Sequence, residues 1–365
     1  MLKKKVMLGA ACAACAASLT ATFVAASPAH AIEPTVSARV ESEQVVIRDM
    51  PGDFDLYLRV LPYGDTGKIK IEASYEVVPG PGCLAESVTV VVCEGIILPH
   101  DGVLVFADKG DDRIEINPLD ESLTLTAIVL GGPGDDTLLG GVNYDGFWGE
   151  AGNDILDGRG GTDHLHGGGG ADRLTGGPGV DWVYYDEKTS RVQVSLNGLA
   201  GDDGTSGEGD TVGADVENII GSVHDDTLTG NDASNNIFGN DGRDKIEGLG
   251  GNDTIAPDGA LDDSESPLLP DVVYGGPGSD TILYMVRVTG TAPTVIIDLD
   301  AEWGDDGAVG EGDTYLEIEN IDSRNPGTLT GNAGANVIRT DPALGNTVYA
   351  GGGNDTIYGL SLIHI

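Results

Sequence analysis

Asp136, Asp145, Asp154, Asp163, Asp172 and Asp181 stand nine residues apart, each in the sixth place of a nonapeptide that opens on glycine. Carboxylates repeated at one interval, with no nucleophile or base recurring beside them, point to cation binding. Oxygen donors from carboxylates and from the carbonyls of glycine turns form the all-oxygen cage that a hard ion such as Ca²⁺ requires. The same place holds Asp226, Asp244 and Asp253 in a second run, Asp280 in the isolated unit GGPGSDTIL, and Asp355 in a third, degenerate run. Asn235 interrupts the second run, and Gly327, Asn336 and Asn346 replace aspartate in the third. The first run is therefore expected to carry four complete sites, the second one complete and one weakened site, and the third none.

The eighth place of each unit says what positions these aspartates. It holds Leu138, Phe147, Leu156, Leu165, Leu174 and Val183, then Leu228, Ile237, Ile246 and Ile255, then Ile282, then Leu329, Ile338, Val348 and Ile357. Fifteen apolar residues in fifteen units would arise by chance about once in a million at this composition. A disordered acidic chain needs no such register, so the repeat folds. Six residues suffice for a turn and three for a strand whose eighth residue faces inward. The fourth place is glycine in five of the first six units and Asn143 in the other, as left-handed backbone would require. Two units make one coil of a parallel solenoid, which stacks Asp136, Asp154 and Asp172 on one edge and Asp145, Asp163 and Asp181 on the other. Carboxylates under about 5 Å apart repel unless a cation lies between them.

The pattern GGxGxDxUx resembles the repeats-in-toxin (RTX) calcium-binding nonapeptide over all six units of the first run. The lead-in GCLAESVTVVVC, then VFADKGDDRIEI, and the stretch YDEKTSRVQVSLNGLAGDDGTSGEGDTVGADVENIIGS resemble secreted bacterial calcium-binding proteins of this family. The resemblance implies a parallel β-roll that binds Ca²⁺ between successive turns. Toxins and proteases of the family usually leave the cell by a dedicated route with a C-terminal signal. This chain carries an N-terminal one, which weakens a toxin reading.

Lys3, Lys4 and Lys5, an alanine-rich apolar run and Ser27-Pro28-Ala29-His30-Ala31 have the three parts of a secretory signal peptide, with cleavage expected after Ala31. No other stretch is long and apolar enough to span a bilayer. Cleavage changes the net charge from −41 to −44, with 16 basic against 60 acidic side chains. That sign excludes nucleic acid and favours multivalent cations as partners. Cell-surface or extracellular polysaccharide is a further candidate partner. Two cysteines remain after cleavage, Cys83 and Cys93, and in an oxidising compartment a lone close pair reads as a disulfide. Buried free thiols are the alternative.

The expected fold is all-β: a parallel β-roll or β-solenoid with a β-rich N-terminal cap and two inserted strand-loop-strand modules. Residues 32–130 alternate apolar and polar in short runs and form the lead-in, with a separate small sandwich as the alternative. Repeat blocks occupy 131–184, 221–256 and 322–359. The modules at 185–220 and 294–321 match each other at an offset near 102 residues, and each carries an acidic GDDGxxGEGDT loop that is a candidate for a further cation. A linker covers 257–293 and includes the single unit 275–283. The last six residues, LSLIHI, break the pattern and read as a translated sequencing-library transposon end.

No HExxH or GxSxG motif is present, so no catalytic residue is assigned. His164 and His166 flank inward Leu165 and are expected to face outward, as are Trp148 and Trp182. The function expected is that of a secreted calcium-binding protein with a structural or surface role. The alternatives are an accessory β-roll of a larger secreted enzyme, or an adhesin.

Overall fold

The structure, a computed structural model, describes residues 35–41, 44–49, 56–62, 69–73, 76–79, 83–85, 90–93, 102–116, 125–258, 269–285 and 294–359. The expected signal peptide and the tail 360–365 lie outside them, as do 259–268 and 286–293 of the linker.

With six residues of each unit spent on a turn, the strands are short and need neighbours. Thr137–Leu139 pairs in parallel with Ile155–Asp157, eighteen residues on, and that strand pairs with Arg173–Thr175. On the opposite face Asp145–Ala151, His164–Gly169 and Trp182–Tyr184 stack at the same interval. One face of the solenoid is a continuous fifteen-stranded sheet, whereas the other is divided into sheets of nine, six and four strands. No helix occurs among the described residues.

The lead-in builds on the same two faces. Gln44–Asp49 and Gly102–Phe106 extend the long sheet in parallel to Thr126–Pro133. Tyr57–Pro62 and Arg113–Ile116 extend the other face to Thr137–Leu139. Antiparallel Thr35–Glu41 then follows on the long sheet, which ends on Glu76–Pro79 parallel to it, while antiparallel Ile69–Ala73, Val90–Cys93 and Cys83–Ala85 finish the other.

The two inserts cause the divisions of the second face. After Trp182–Tyr184 the chain runs ahead to Val192–Ser195, which pairs with Thr227–Thr229 of the following coil. It turns back through Gly204–Thr205, antiparallel to that strand, and lays Thr211–Val212 on Arg173–Thr175 of the coil behind. Asn218–Ile220 then continues the long sheet. The second insert repeats this path with Val295–Asp298, Gly307–Ala308, Thr314–Leu316 and Asn320–Ser323. Bridges Asp203–Asp210 and Asp306–Asp313 occupy equivalent places, which sets the offset within the loops at 103 residues.

Eighth-place residues form one apolar core along the axis. All from Leu138 to Ile338 are buried, Val348 is half-buried, and Ile357 is 39% exposed. Ile357 lies in Thr356–Tyr358, the edge strand of the long sheet, with no described strand beyond it. Left-handed backbone recurs at the second place of the unit as well as the fourth. Glu150, Arg159, Asn240 and Leu249 adopt φ of 74°, 66°, 70° and 72° there. Asn143 is not among the positive-φ residues, so the expected left-handed asparagine is corrected. At Gly170 the requirement is strict: φ is +135°, and a Cβ would lie 1.6 Å from the carbonyl oxygen of Gly152.

Leu165→Ala should cost about 2–5 kcal/mol in denaturant unfolding at saturating Ca²⁺, because it empties a fully buried place. Ile357→Ala should cost less than about 1 kcal/mol. Equal losses would contradict the axial core.

Candidate metal centre

Each sixth-place aspartate lies at the start of a short strand, where the turn from the preceding unit closes. Its Oδ1 accepts the backbone N–H of the residue one coil earlier. Asp136 accepts from Asp112 at 2.7 Å, Asp154 from Asp136 at 2.7 Å, and Asp172 from Asp154 at 2.8 Å. On the other edge Asp145 accepts from Ala127 at 2.9 Å, Asp163 from Asp145 at 2.8 Å and Asp181 from Asp163 at 2.8 Å. The later coils repeat the arrangement: Asp226 accepts from Val192, Asp244 from Asp226, Asp253 from Asn235 and Asp280 from Asp253. Half-buried Asp355 accepts from Asn336 at 3.0 Å. Stacking thus places the carboxylates in columns and ties each one to the coil before it.

The second oxygen behaves differently. Oδ2 of Asp136, Asp154, Asp163, Asp172, Asp181, Asp244, Asp253 and Asp280 is buried without a hydrogen-bond partner. Beside it lie a first-place glycine and a carbonyl of the next coil. A Cβ on Gly149 would come 2.2 Å from Asp154 Oδ2 and 2.4 Å from the carbonyl oxygen of Gly167. Glycine is needed there for clearance, and the oxygens it admits converge. A buried anionic oxygen without a donor is costly unless a cation meets it. Asp145 and Asp226 depart from this pattern, since their Oδ2 atoms accept from Gly141 N at 2.7 Å and Ser222 N at 2.6 Å.

Burial raises these carboxyl groups far above the ordinary carboxylate range. Asp136, Asp145 and Asp154 rise to about 7, Asp163 to about 8 and Asp244 to about 9, with burial the leading cause in each. Asp172, Asp181, Asp226 and Asp253 rise to about 6, again through burial first. Ionising them in place calls for a counter-charge.

The columns are longer than the nonapeptides. Asp112 accepts from Leu56 N, Asp210 from Asp172 N, Asp271 from Asp244 N and Asp313 from Asp271 N. Glu217 and Glu319 hold the equivalent position on Asp181 and Asp280. Sequence reasoning missed all six because none has the glycine that opens the nonapeptide. The signal that remains is an acid two places before an inward apolar residue, as in Asp112-Arg113-Ile114 and Asp271-Val272-Val273.

Asparagine turns are wired otherwise. Asn235 Nδ2 donates to the carbonyl of Glu217 at 2.9 Å, and Asn336 Nδ2 to that of Glu319 at 2.6 Å. Each thereby brings its own donor into the turn. In the insert loops Asp203 and Asp306 have both oxygens engaged, joining strands of two different sheets. Asp203 accepts from Ser195 N and Val212 N, and Asp306 from Asp298 N and Tyr315 N. The register sets Cys83 directly opposite Cys93 in an antiparallel pair.

His166 stacks between Trp148 and Tyr184, with ring centroids 4.5 and 4.2 Å away, and burial lowers its pKa to about 3. The Tyr184 hydroxyl and His164 Nδ1 lie 2.9 Å apart, and Trp182 is tilted against Phe238. These rings pack on one another along the outer face of the long sheet.

The family model of the RTX calcium-binding nonapeptide repeat (4 copies) matches residues 130–165, 157–187, 220–255, 270–283 and 345–361. The chain carries RTX repeats. No curated protein gives a match. RTX nonapeptide repeats bind Ca²⁺, and the unpartnered oxygens of the aspartate columns fit that ion. Bound there, Ca²⁺ supplies the positive charge that keeps the buried carboxylates ionised. The RTX-repeat chain is thus a calcium-binding β-roll.

Two outcomes follow. Asp154→Ala removes an oxygen from the middle of a column and should weaken Ca²⁺ binding clearly in calorimetric titration, whereas Asn336→Ala should shift it little. Equal shifts, or a larger one from Asn336→Ala, would place the ions in the wrong block. In chelator the folded carboxyls hold protons more tightly than the unfolded ones, so the folded state loses stability as pH rises through about 6–8. Acidifying the metal-free protein from pH 8 to pH 5 should therefore raise its β-sheet signal in circular dichroism, and a fall would contradict the burial of these groups.

Proposed function

We propose that this chain is an exported calcium-binding protein whose β-roll forms when Ca²⁺ is taken up, and that its role outside the cell is structural rather than catalytic. The observation that carries this reading is the row of buried carboxylate oxygens without donors. Such a row disfavours the folded chain at the low calcium of a cytoplasm and favours it at the millimolar calcium outside. Each site contributes about 1.4 kcal/mol at a tenfold excess of free ion over Kd. Several sites together match the whole stability of an ordinary domain. The charged n-region, apolar run and small-residue cleavage site at 1–31 support export. The direct cross-strand register of Cys83 and Cys93 supports a disulfide formed after export, since such pairs have Cα separations within disulfide reach.

Circular dichroism is the test of calcium-driven folding. The mature protein should lose most of its β signal in chelator and regain it in millimolar Ca²⁺, with Mg²⁺ a poor substitute because it demands a smaller, more rigid octahedron. A β-rich spectrum indifferent to chelator would overturn the reading. Mass spectrometry of protein recovered from culture medium should find Cys83 and Cys93 joined and the chain beginning at Ile32. Two alkylatable thiols without reductant would refute the bridge.

A further inference from the structure

The two inserts follow the same path but treat one acidic position in opposite ways. In the first, Glu208 Oε2 accepts from Thr205 N and Thr205 Oγ1 at 2.9 Å each. Its Oε1 is met by the ammonium of Lys188 at 2.6 Å, and that ammonium also donates to the Gly168 carbonyl. The lysine thus supplies a buried positive charge at the end of the column that runs from Asp112 to Asp210.

In the second insert the counterpart of Glu208 is Glu311. Its Oε2 is again engaged, accepting from the Tyr284 hydroxyl at 2.6 Å and from Ala308 N. Its Oε1, the atom that meets the lysine in the first insert, is buried with no partner. Asp258 instead brings a carboxylate, with its own Oδ2 buried and unpartnered. Asp258, Glu311 and Asp313 are 4%, 8% and 0% exposed, and one oxygen from each lies within 4.8 Å of the others. Asp313 is already tied down, accepting from Asp271 N and the Tyr315 hydroxyl. Burial and the neighbouring acids raise Asp258 to about 10, so three ionised carboxylates cannot share this space without a counter-charge.

We propose that Asp258, Glu311 and Asp313 form a further calcium site, built by the second insert and lying outside the nonapeptide pattern, in which a divalent cation takes the place that the Lys188 ammonium fills in the first insert. The donor set is all oxygen and carries three negative charges, which suits a hard divalent ion. Asp258 comes from the turn after Thr254–Ala256, while Glu311 and Asp313 come from the insert loop. The ion would therefore tie that loop to the coil beneath it.

The test is the number of Ca²⁺ ions bound per chain, measured by equilibrium dialysis on the whole mature protein. Glu311→Gln and Asp258→Asn should each lower the count by one and leave the nonapeptide sites loaded. Glu208→Gln, the same change in the first insert, should leave the count unaltered. An unchanged count in both Glu311→Gln and Asp258→Asn, or an equal fall in Glu208→Gln, would overturn the site. Should the variants fail to fold, crystals of the unaltered protein soaked with Tb³⁺ decide. An anomalous peak among the three carboxylates is expected. Its absence, with peaks present at the nonapeptide turns, would overturn the proposal and leave protons to neutralise the three carboxylates.

Discussion

Everything in this molecule depends on how a sixth-place aspartate divides its two oxygens. One accepts a backbone N–H from the previous coil and so fixes the eighteen-residue register; the other, in eight of these aspartates, is carried into the interior without a donor. A carboxylate so placed is a structural tie and at the same time offers a buried oxygen to an ion. The tie explains why the short strands stack without slipping, since three residues per strand offer few ladder bonds of their own. The unpartnered oxygen explains why the stacked state needs a cation, because buried charge is expensive until it is met. On the proposed function, folding and calcium binding are two aspects of one arrangement.

Glycine follows from the same constraint. At the first place it clears room for the aspartate oxygen and the next coil's carbonyl; at the fourth it permits backbone that a side chain would block. The core imposes a separate demand, met by the eighth place alone. Where the ions are dispensable the two demands part company: Asn336 keeps the turn closed with its own amide while Ile338 stays fully buried.

Much of this was legible in the sequence. The nine-residue period yields the parallel stacking at eighteen residues, and the apolar eighth place yields the core. The columns through Asp112, Asp210, Asp271 and Asp313 were not legible as part of the repeat, because the turns before them lack the glycine pattern although the acid and the inward residue keep their spacing. Nor did the insert reveal its path. Val192–Ser195 and Thr211–Val212 join sheets on opposite sides of a break, and only long-range pairing determines which coil each one meets. The contrast between Lys188 beside Glu208 and Asp258 beside Glu311 was hidden for the same reason, since the partners lie 20 and 53 residues apart.

The separation of the two oxygens is the central claim, and a crystal structure of the calcium-loaded protein at atomic resolution tests it most directly. Metal density should lie against Oδ2 of Asp136, Asp154 and Asp172, while Oδ1 of each remains on the amide of the coil before. Calcium bound through Oδ1, with those backbone ties broken, would contradict the account.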